Sequence, residues 1–226
     1  MIVVTTPTGH IGSQLLKKLF ASGRPLRVIA RDPGKFSPAT REKVEVVQGS
    51  LGDAEVVTKA YSNASDLFFV IPPSMDYVDV DSYYLRLVEV TCEAIRTCGI
   101  KRVVHVSGTG LGFEPKAGPV SASYLVEKKL LSLDASVRVL HCGTFMENLL
   151  HSVPSLKAVG KFSTSVPFDV RMPWVATCDF AAAAAKLLLD PSWSGNGAVG
   201  VLGPEYLSYG VRSNMKRFLR MRFWIG

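Results

Sequence analysis

The stretch Val3-Val4-Thr5-Thr6-Pro7-Thr8-Gly9-His10-Ile11-Gly12 decides the fold. It runs from β-branched residues through a turn with two glycines into a helical pattern. Ile11, Leu15, Leu16, Leu19 and Phe20 of that pattern share one face, and it stops at Gly23. A strand, a tight turn and an amphipathic helix in this order bring free amide N–H groups and the positive end of a helix dipole to one point. Gly9 lets an anion approach the backbone with no Cβ in the way, and Gly12 lets the helix lie close on the strand. Thr6 stands where such a loop usually has its first glycine. A turn of this kind can be a mere connector, but its place on the first strand of a strand–helix–strand unit favours a phosphate site. The expectation is that Thr6, Pro7, Thr8, Gly9, His10, Ile11 and Gly12 cradle the pyrophosphate of a dinucleotide.

Outward from this loop, short β-branched runs alternate with helix-period segments. Strands are expected at Ile2–Thr5, Leu26–Ala30, Val44–Gln48, Leu67–Ile71, Arg102–Ser107 and Ser136–Leu140, with a late one at Val199–Leu202. Helices are expected at Ala54–Tyr61 capped by Asp53, at Ser82–Thr97 ending on Gly99, at Tyr124–Leu133, and at Phe180–Leu189 capped by Asp179. Leu67–Ile71 is apolar on every residue, as a strand covered on both faces should be. Such alternation with short connections requires right-handed crossovers and a parallel sheet. The fold class is α/β, a Rossmann-like doubly wound parallel sheet. From Thr144 the pattern loosens, with a short helix at Met146–Ser152 and an irregular excursion over Pro154–Pro173.

The end of the second strand reads the cofactor. An acid there accepts the ribose hydroxyls of NAD, whereas a cation suits the 2′-phosphate of NADP. Arg31 comes first, followed by Asp32-Pro33-Gly34-Lys35, and the planar fork of Arg31 together with Lys35 favours NADP. The alternative, NAD, has Asp32 on the ribose and both cations solvated.

Composition is ordinary for a globular chain of 226 residues, 47% apolar and 20% charged. The net charge of +7 resembles a nucleic-acid signal until it is located. Arg212, Lys216, Arg217, Arg220 and Arg222 lie in the last sixteen residues, and without these five the net charge is +2. No nucleic-acid partner is therefore expected. The N-terminus has no basic leader and no run reaches a membrane span, so a cytoplasmic protein with no membrane contact is the expectation. The basic tail is the one exception, since Met215, Phe218, Leu219 and Phe223 approximate one face; an altered or truncated end is the favoured reading. Cys92, Cys98, Cys142 and Cys178 show no paired spacing and read as reduced thiols. His10, His105, His141 and His151 have no metal-ligand spacing, and no metal is expected.

With these residues placed, the chain resembles the NmrA-like family, atypical relatives of the short-chain dehydrogenases. TPTGHIG stands at the family's glycine loop, VIARDP after the second strand and VEVVQGSLGD after the third. KRVVHVSG, LHCGTFMENLL, WVATCDFAAAAAKLLLD and GVLGPEYLS follow in the family's order. The resemblance covers Met1 to about Ser208. It implies a nucleotide-binding core over about residues 1–143, a partial substrate lobe over 144–208 and an unmatched tail at 209–226. It places Ser50 and Leu51 near the adenine and Ile71, Pro72 and Pro73 near the ribose and nicotinamide. Cys142, Gly143, Thr144 and Phe145 would border the nicotinamide. Plain core packing is the competing account of Ile71 and Phe145.

The resemblance also implies an NADP(H)-dependent oxidoreductase acting on a small carbonyl, enone or imine, in secondary metabolism. Its rivals are a non-catalytic redox sensor with a regulatory protein partner, and an impaired, truncated relative. Short-chain dehydrogenases place a tyrosine and a lysine four residues apart on one helical face, so that the cation lowers the tyrosine pKa. Tyr124 and Lys128 have that spacing, and Ser107 or Thr109 could be the hydroxyl partner. Register argues against the pair. Glu127 fits the family's glutamate fourteen residues before His141, which puts the tyrosine position at Pro119 and the lysine position at Ser123.

Overall fold

The computed structural model describes residues 1–73, 79–109, 118–164 and 166–210. They form two compact units, Met1–Cys142 with Thr177–Val201, and Gly143–Ala176 with the residues from Leu202 onward. The glycine turn at 110–112 and the tail from 211 lie outside the described residues.

In the first unit, β1 (Ile2–Val4) leads through the glycine turn into α1 (His10–Leu19). Then come β2 (Leu26–Ala30), the short α2 (Pro38–Arg41), β3 (Glu45–Gln48) and α3 (Ala54–Tyr61). β4 (Asp66–Phe69), α4 (Val80–Cys98), β5 (Arg102–Gly108), α5 (Pro119–Leu131) and β6 (Ser136–Cys142) continue the alternation. The second unit contributes β7 (Thr144–Phe145), α6 (Val153–Val159) and β8 (Met172–Val175). The chain returns to the first unit with α7 (Thr177–Leu189) and β9 (Gly197–Val201), and β10 (Tyr206–Leu207) belongs to the second.

The large sheet has the order β3-β2-β1-β4-β5-β6-β9, and every pairing is parallel. Connections run outward from β1 in both directions, so the crossovers diverge between β1 and β4. A crevice opens outside the carboxyl ends of strands at such a switch point. One face packs on α3, α4 and α5 through Val3, Leu67, Phe69, Val103 and Val137, all fully buried. Burying each such side chain contributes about 1.5–3 kcal/mol. On the other face α1 buries Gly12, Leu15, Leu16 and Leu19, and Gln14 donates to Thr177 Oγ1 of α7 at 2.6 Å.

The amino ends of the strands are held by charge. Asp66, at the start of β4, is 1% exposed and lies between Arg24 and Arg102. Burial alone would raise its carboxyl, but hydrogen bonds from Arg24 and Ser65 and the charge of Arg102 hold it below the usual range. Arg102 and Arg138 both lie over the Trp193 ring, 5.2 and 4.7 Å from its centre.

Several boundaries differ from expectation for local reasons. α5 begins at Pro119, because proline suits the first helical turn, where its missing N–H costs nothing. α4 begins at Val80, capped by Asp79, which accepts the Ser82 N–H at 3.1 Å. α7 begins at Thr177, so Asp179 lies inside the first turn rather than capping it. The expected irregular excursion holds real structure in the second unit. Met146–Ser152 is a 3-10 turn running into α6, and β8 pairs parallel to β7 and antiparallel to β10. Phe162, Phe168, Trp174 and Tyr209 form an aromatic cluster there, with ring centres 5.2–6.2 Å apart.

Candidate functional site

A cavity of about 630 Å³ opens at the carboxyl ends of β1 to β4. Thr6, Pro7, Thr8 and Gly9 form one wall, Ala30 and Arg31 another, and Gly49, Ser50 and Leu51 a third. Pro72 and Pro73 close it beyond β4. The loop is held by its own backbone. Thr6 has φ +47°, in the left-handed region, and its carbonyl accepts the Gly9 N–H at 3.1 Å. A Cβ on Gly12 would stand 2.3 Å from that carbonyl oxygen, so only glycine permits this approach of helix to loop. Thr5 Oγ1 accepts the Val70 N–H at 3.0 Å, tying β1 to the end of β4.

The residues fit a dinucleotide phosphate. α1 starts at Gly9 with no side-chain cap and no acid in its first turn, whereas Asp53 and Asp79 cap α3 and α4 with carboxylates. An unfilled N-terminus with the helix dipole behind it, opening on a cavity, is an anion site. At the ribose end Arg31 lines the cavity and Asp32 does not. Asp32 is engaged elsewhere, its Oδ1 accepting the Gly34 N–H at 2.9 Å at the head of the 3-10 turn Pro33–Lys35.

Of the residues expected at the site, Thr6–Gly9, Arg31, Ser50, Leu51, Pro72 and Pro73 meet in this cavity. His10, Ile11 and Gly12 begin α1, and Ile71 is a core side chain, 6% exposed. Lys35 lines an adjoining cavity instead. Cys142 ends β6, and burial pushes its thiol up to about 11, away from the thiolate form. Gly143, Thr144 and Phe145 belong to the second unit, where a Cβ on Gly143 would stand 2.3 Å from Pro173 O. Six lining residues were not expected: Ile29, Ala30 and Gly49 at the ends of β2 and β3, and Tyr83, Arg86 and Leu87 of α4. Polar residues in the early turns of a long helix read as a solvated face, so only the tertiary fold reveals them.

The tyrosine–lysine pair is not assembled for proton transfer. Burial and then the nearby Glu127 raise the Tyr124 hydroxyl, the reverse of activation by a cation. That hydroxyl finds no hydrogen-bond partner among the described residues, and Lys128 is exposed. Glu127 is occupied with His141, whose Nε2 lies 3.0 Å from Oε2. Ser107, at the end of β5, is 3% exposed and its hydroxyl likewise lacks a partner among the described residues. His105 is a core histidine, stacked on Phe69 with Nδ1 3.1 Å from Phe69 O. Burial lowers its pKa to about 4.

A pattern for NAD(P)H binding matches residues 7–135, more than half of the chain. The chain belongs to this NAD(P)H-binding family. Among curated relatives, the NAD(P)H azoreductase of Xenophilus azovorans is 27% identical over 210 residues, which span 92% of this chain and 70% of the azoreductase. Quinone oxidoreductase 2 of Escherichia coli K12 is 24% identical over 197 residues, 86% of this chain and 66% of that protein. Among solved structures, a nucleoside-diphosphate-sugar epimerase from Staphylococcus aureus superposes with TM-score 0.82 at 17% identity, covering 96% of this chain and 76% of the epimerase. The Escherichia coli NADPH-dependent quinone oxidoreductase complexed with NADPH gives 0.80 at 21%, with 97% and 75% covered. These structural likenesses establish the Rossmann-like fold, and the family agrees with the NmrA-like resemblance. No helix among the described residues is long and apolar enough to cross a membrane.

Proposed function

We propose that this protein is an NADPH-dependent oxidoreductase of the NmrA-like kind, reducing a small conjugated acceptor of the carbonyl, enone or imine class. The observation that carries the cofactor choice is the division of labour at the end of β2, where Arg31 faces the cavity while Asp32 caps its own turn. A cation without a competing acid favours a 2′-phosphate over a free ribose hydroxyl. The bound cofactor supplies hydride. The chain's own part is to hold the pyrophosphate at the start of α1, to orient the ribose between Arg31 and Pro72–Pro73, and to keep the adenine against Ser50 and Leu51. Among the described residues no tyrosine–lysine pair is set to deliver the proton, so water, the substrate or another group supplies it. Quinone and azo acceptors are the first to test, because two relatives are named for them.

The geometry of Tyr124 favours a second reading, a non-catalytic redox sensor. Titration with NADPH and with NADP⁺, followed by NADPH consumption with quinone, azo and simple carbonyl acceptors, separates the two. An oxidoreductase consumes NADPH with at least one acceptor class. Turnover with none, together with a large difference in affinity between the two redox forms, establishes the sensor.

A further inference from the structure

The sheet face that packs under α5 turns polar at the carboxyl ends of β5 and β6. Val103, His105 and Ser107 alternate along β5 on the face where Val103 meets the core, and Val137, Val139 and His141 do the same along β6. Ser107 and His141 are Cα partners in the parallel ladder, each one residue before the end of its strand. Side chains on such a pair leave the same face from backbones about 4.8 Å apart, within reach of proton transfer directly or through one water. From α5, Glu127 places Oε2 3.0 Å from His141 Nε2. Ser107 Oγ, His105 Nε2 and Tyr124 Oη are buried with no hydrogen-bond partner among the described residues. A core seldom keeps such atoms unless water joins them or chemistry uses them.

Glu127 fixes which nitrogen of His141 can exchange a proton. An ionised carboxylate only accepts, so Nε2 keeps its hydrogen in both the neutral and the charged ring. A proton can therefore come and go only at Nδ1, which makes no hydrogen bond among the described residues. His141 keeps 14% of its side chain exposed, so water can renew that proton, whereas Ser107 and Glu127 are buried. The neighbouring titratable groups stay uncharged at neutral pH. Burial lowers His105, which feels the charge of His141, to about 4, and burial raises the Tyr124 hydroxyl. On β9 the register partner of His141 is Gly200, and Lys128 of α5 is exposed.

β5 and β6 follow β4 in the sheet, on the other side of the switch point from β2 and β3. A dinucleotide bound across that point with its adenine at β3 directs its reactive half toward these strands. We propose that Ser107 is the proton donor of the reduction, and that His141 and Glu127 are positioning residues that restore its proton. The proposal rests on the oxidoreductase reading given above. As the acceptor takes a hydride, and with it two electrons, from the cofactor, the acceptor's heteroatom gains the Ser107 hydroxyl proton. The Ser107 O–H bond re-forms with the Nδ1 proton of His141, and water returns a proton to Nδ1. The acceptor is reduced, the cofactor is oxidised, and the three side chains end as they began.

Two readouts test this, and the first needs no cofactor. In Ser107→Cys the ultraviolet absorbance of thiolate, taken against wild type under reducing conditions, reports the proton at position 107. A thiol beside an imidazole base loses its proton at neutral pH. The signal is therefore expected at neutral pH in Ser107→Cys and is lost when His141→Gln is added. No thiolate in Ser107→Cys, or one that persists in the double variant, overturns the pairing.

The second readout is NADPH turnover with the acceptor that wild type reduces. Ser107→Ala and His141→Gln lower kcat about 100-fold and leave the KM for NADPH within about twofold. The fall in rate as pH rises, where Nδ1 loses its proton, flattens in His141→Gln. Glu127→Gln, which still accepts from Nε2–H, retains more activity than Glu127→Ala. Thermal unfolding verifies that each variant is folded. Ser107→Ala deletes a hydroxyl that bonds nothing, so its Tm should not fall, and it carries the test if a His141 variant does not fold. Turnover that survives in Ser107→Ala or His141→Gln within about threefold overturns the relay and leaves the oxidoreductase reading standing. No turnover by wild type with any acceptor overturns that reading and the relay with it.

Discussion

Thr6 pays a conformational cost that glycine would not, and Thr6→Gly measures it. At φ +47° the β-branched side chain stands in the left-handed region, which costs about 1–2 kcal/mol for a residue with a Cβ. Glycine removes that strain but adds about 0.5–1 kcal/mol of chain entropy to be lost on folding. The net expectation is a gain of about 0.5–1 kcal/mol, which for a chain of this length raises Tm by about 1–4 °C. Thr6→Ala is the control. It removes the branch and the hydroxyl but keeps the Cβ, so its Tm should move by less than about 1 °C. Thermal unfolding without ligand gives the comparison, and the same scan with NADPH tests whether the loop still binds. A Tm that falls in Thr6→Gly, or rises equally in Thr6→Ala, would refute the claim that backbone conformation is what Thr6 strains.

Tyr124→Phe should leave NADPH-dependent turnover nearly intact, and a loss beyond about 100-fold in steady-state assays would restore the tyrosine to proton transfer. Asp66→Asn leaves Arg24 and Arg102 without their carboxylate and should cost about 3 kcal/mol, seen as a Tm lower by roughly 6–12 °C. His105 gives a pH dependence. Its folded pKa of about 4 lies below the unfolded value near 6.5, so the folded state holds the neutral ring and its contribution is lost as pH falls from about 6.5 toward 4. Denaturant unfolding should show about 2 kcal/mol lost to this group between pH 7.5 and 5, and His105→Gln should flatten that slope; an unchanged slope would mean other groups carry it.

The alternation of strands and helices was legible because each element keeps one period across its length. Asp53 was legible as a cap because a carboxylate before a helical run has few other uses; its Oδ1 accepts from Glu55 and Val56. The strand-to-helix glycine loop was legible from its place on the first strand, even without its first glycine. What Thr6 does instead was not, since a positive φ leaves no mark on a threonine in sequence. The small sheet was hidden because strands of two residues have no period, and Pro173 in β8 argued against a strand. Arg86 and Tyr83 were hidden because α4 meets the ends of β2 and β3 only through the tertiary fold. That Arg31 lines the cavity while Asp32 accepts from Gly34 was open at the level of residue spacing, since it lies in one hydrogen bond.

That bond, from the Gly34 N–H to Asp32, bears on how cofactor preference changes over evolutionary time. The acid that an NADH-preferring protein needs at the end of its second strand is already encoded here, folded into its own turn. A Cβ at position 34 would stand 3.0 Å from the same carboxylate oxygen, which would have to give by a few tenths of an ångström. On the NADPH reading proposed above, the preference at this strand end depends on how a turn holds an acid already present, as well as on the cation before it.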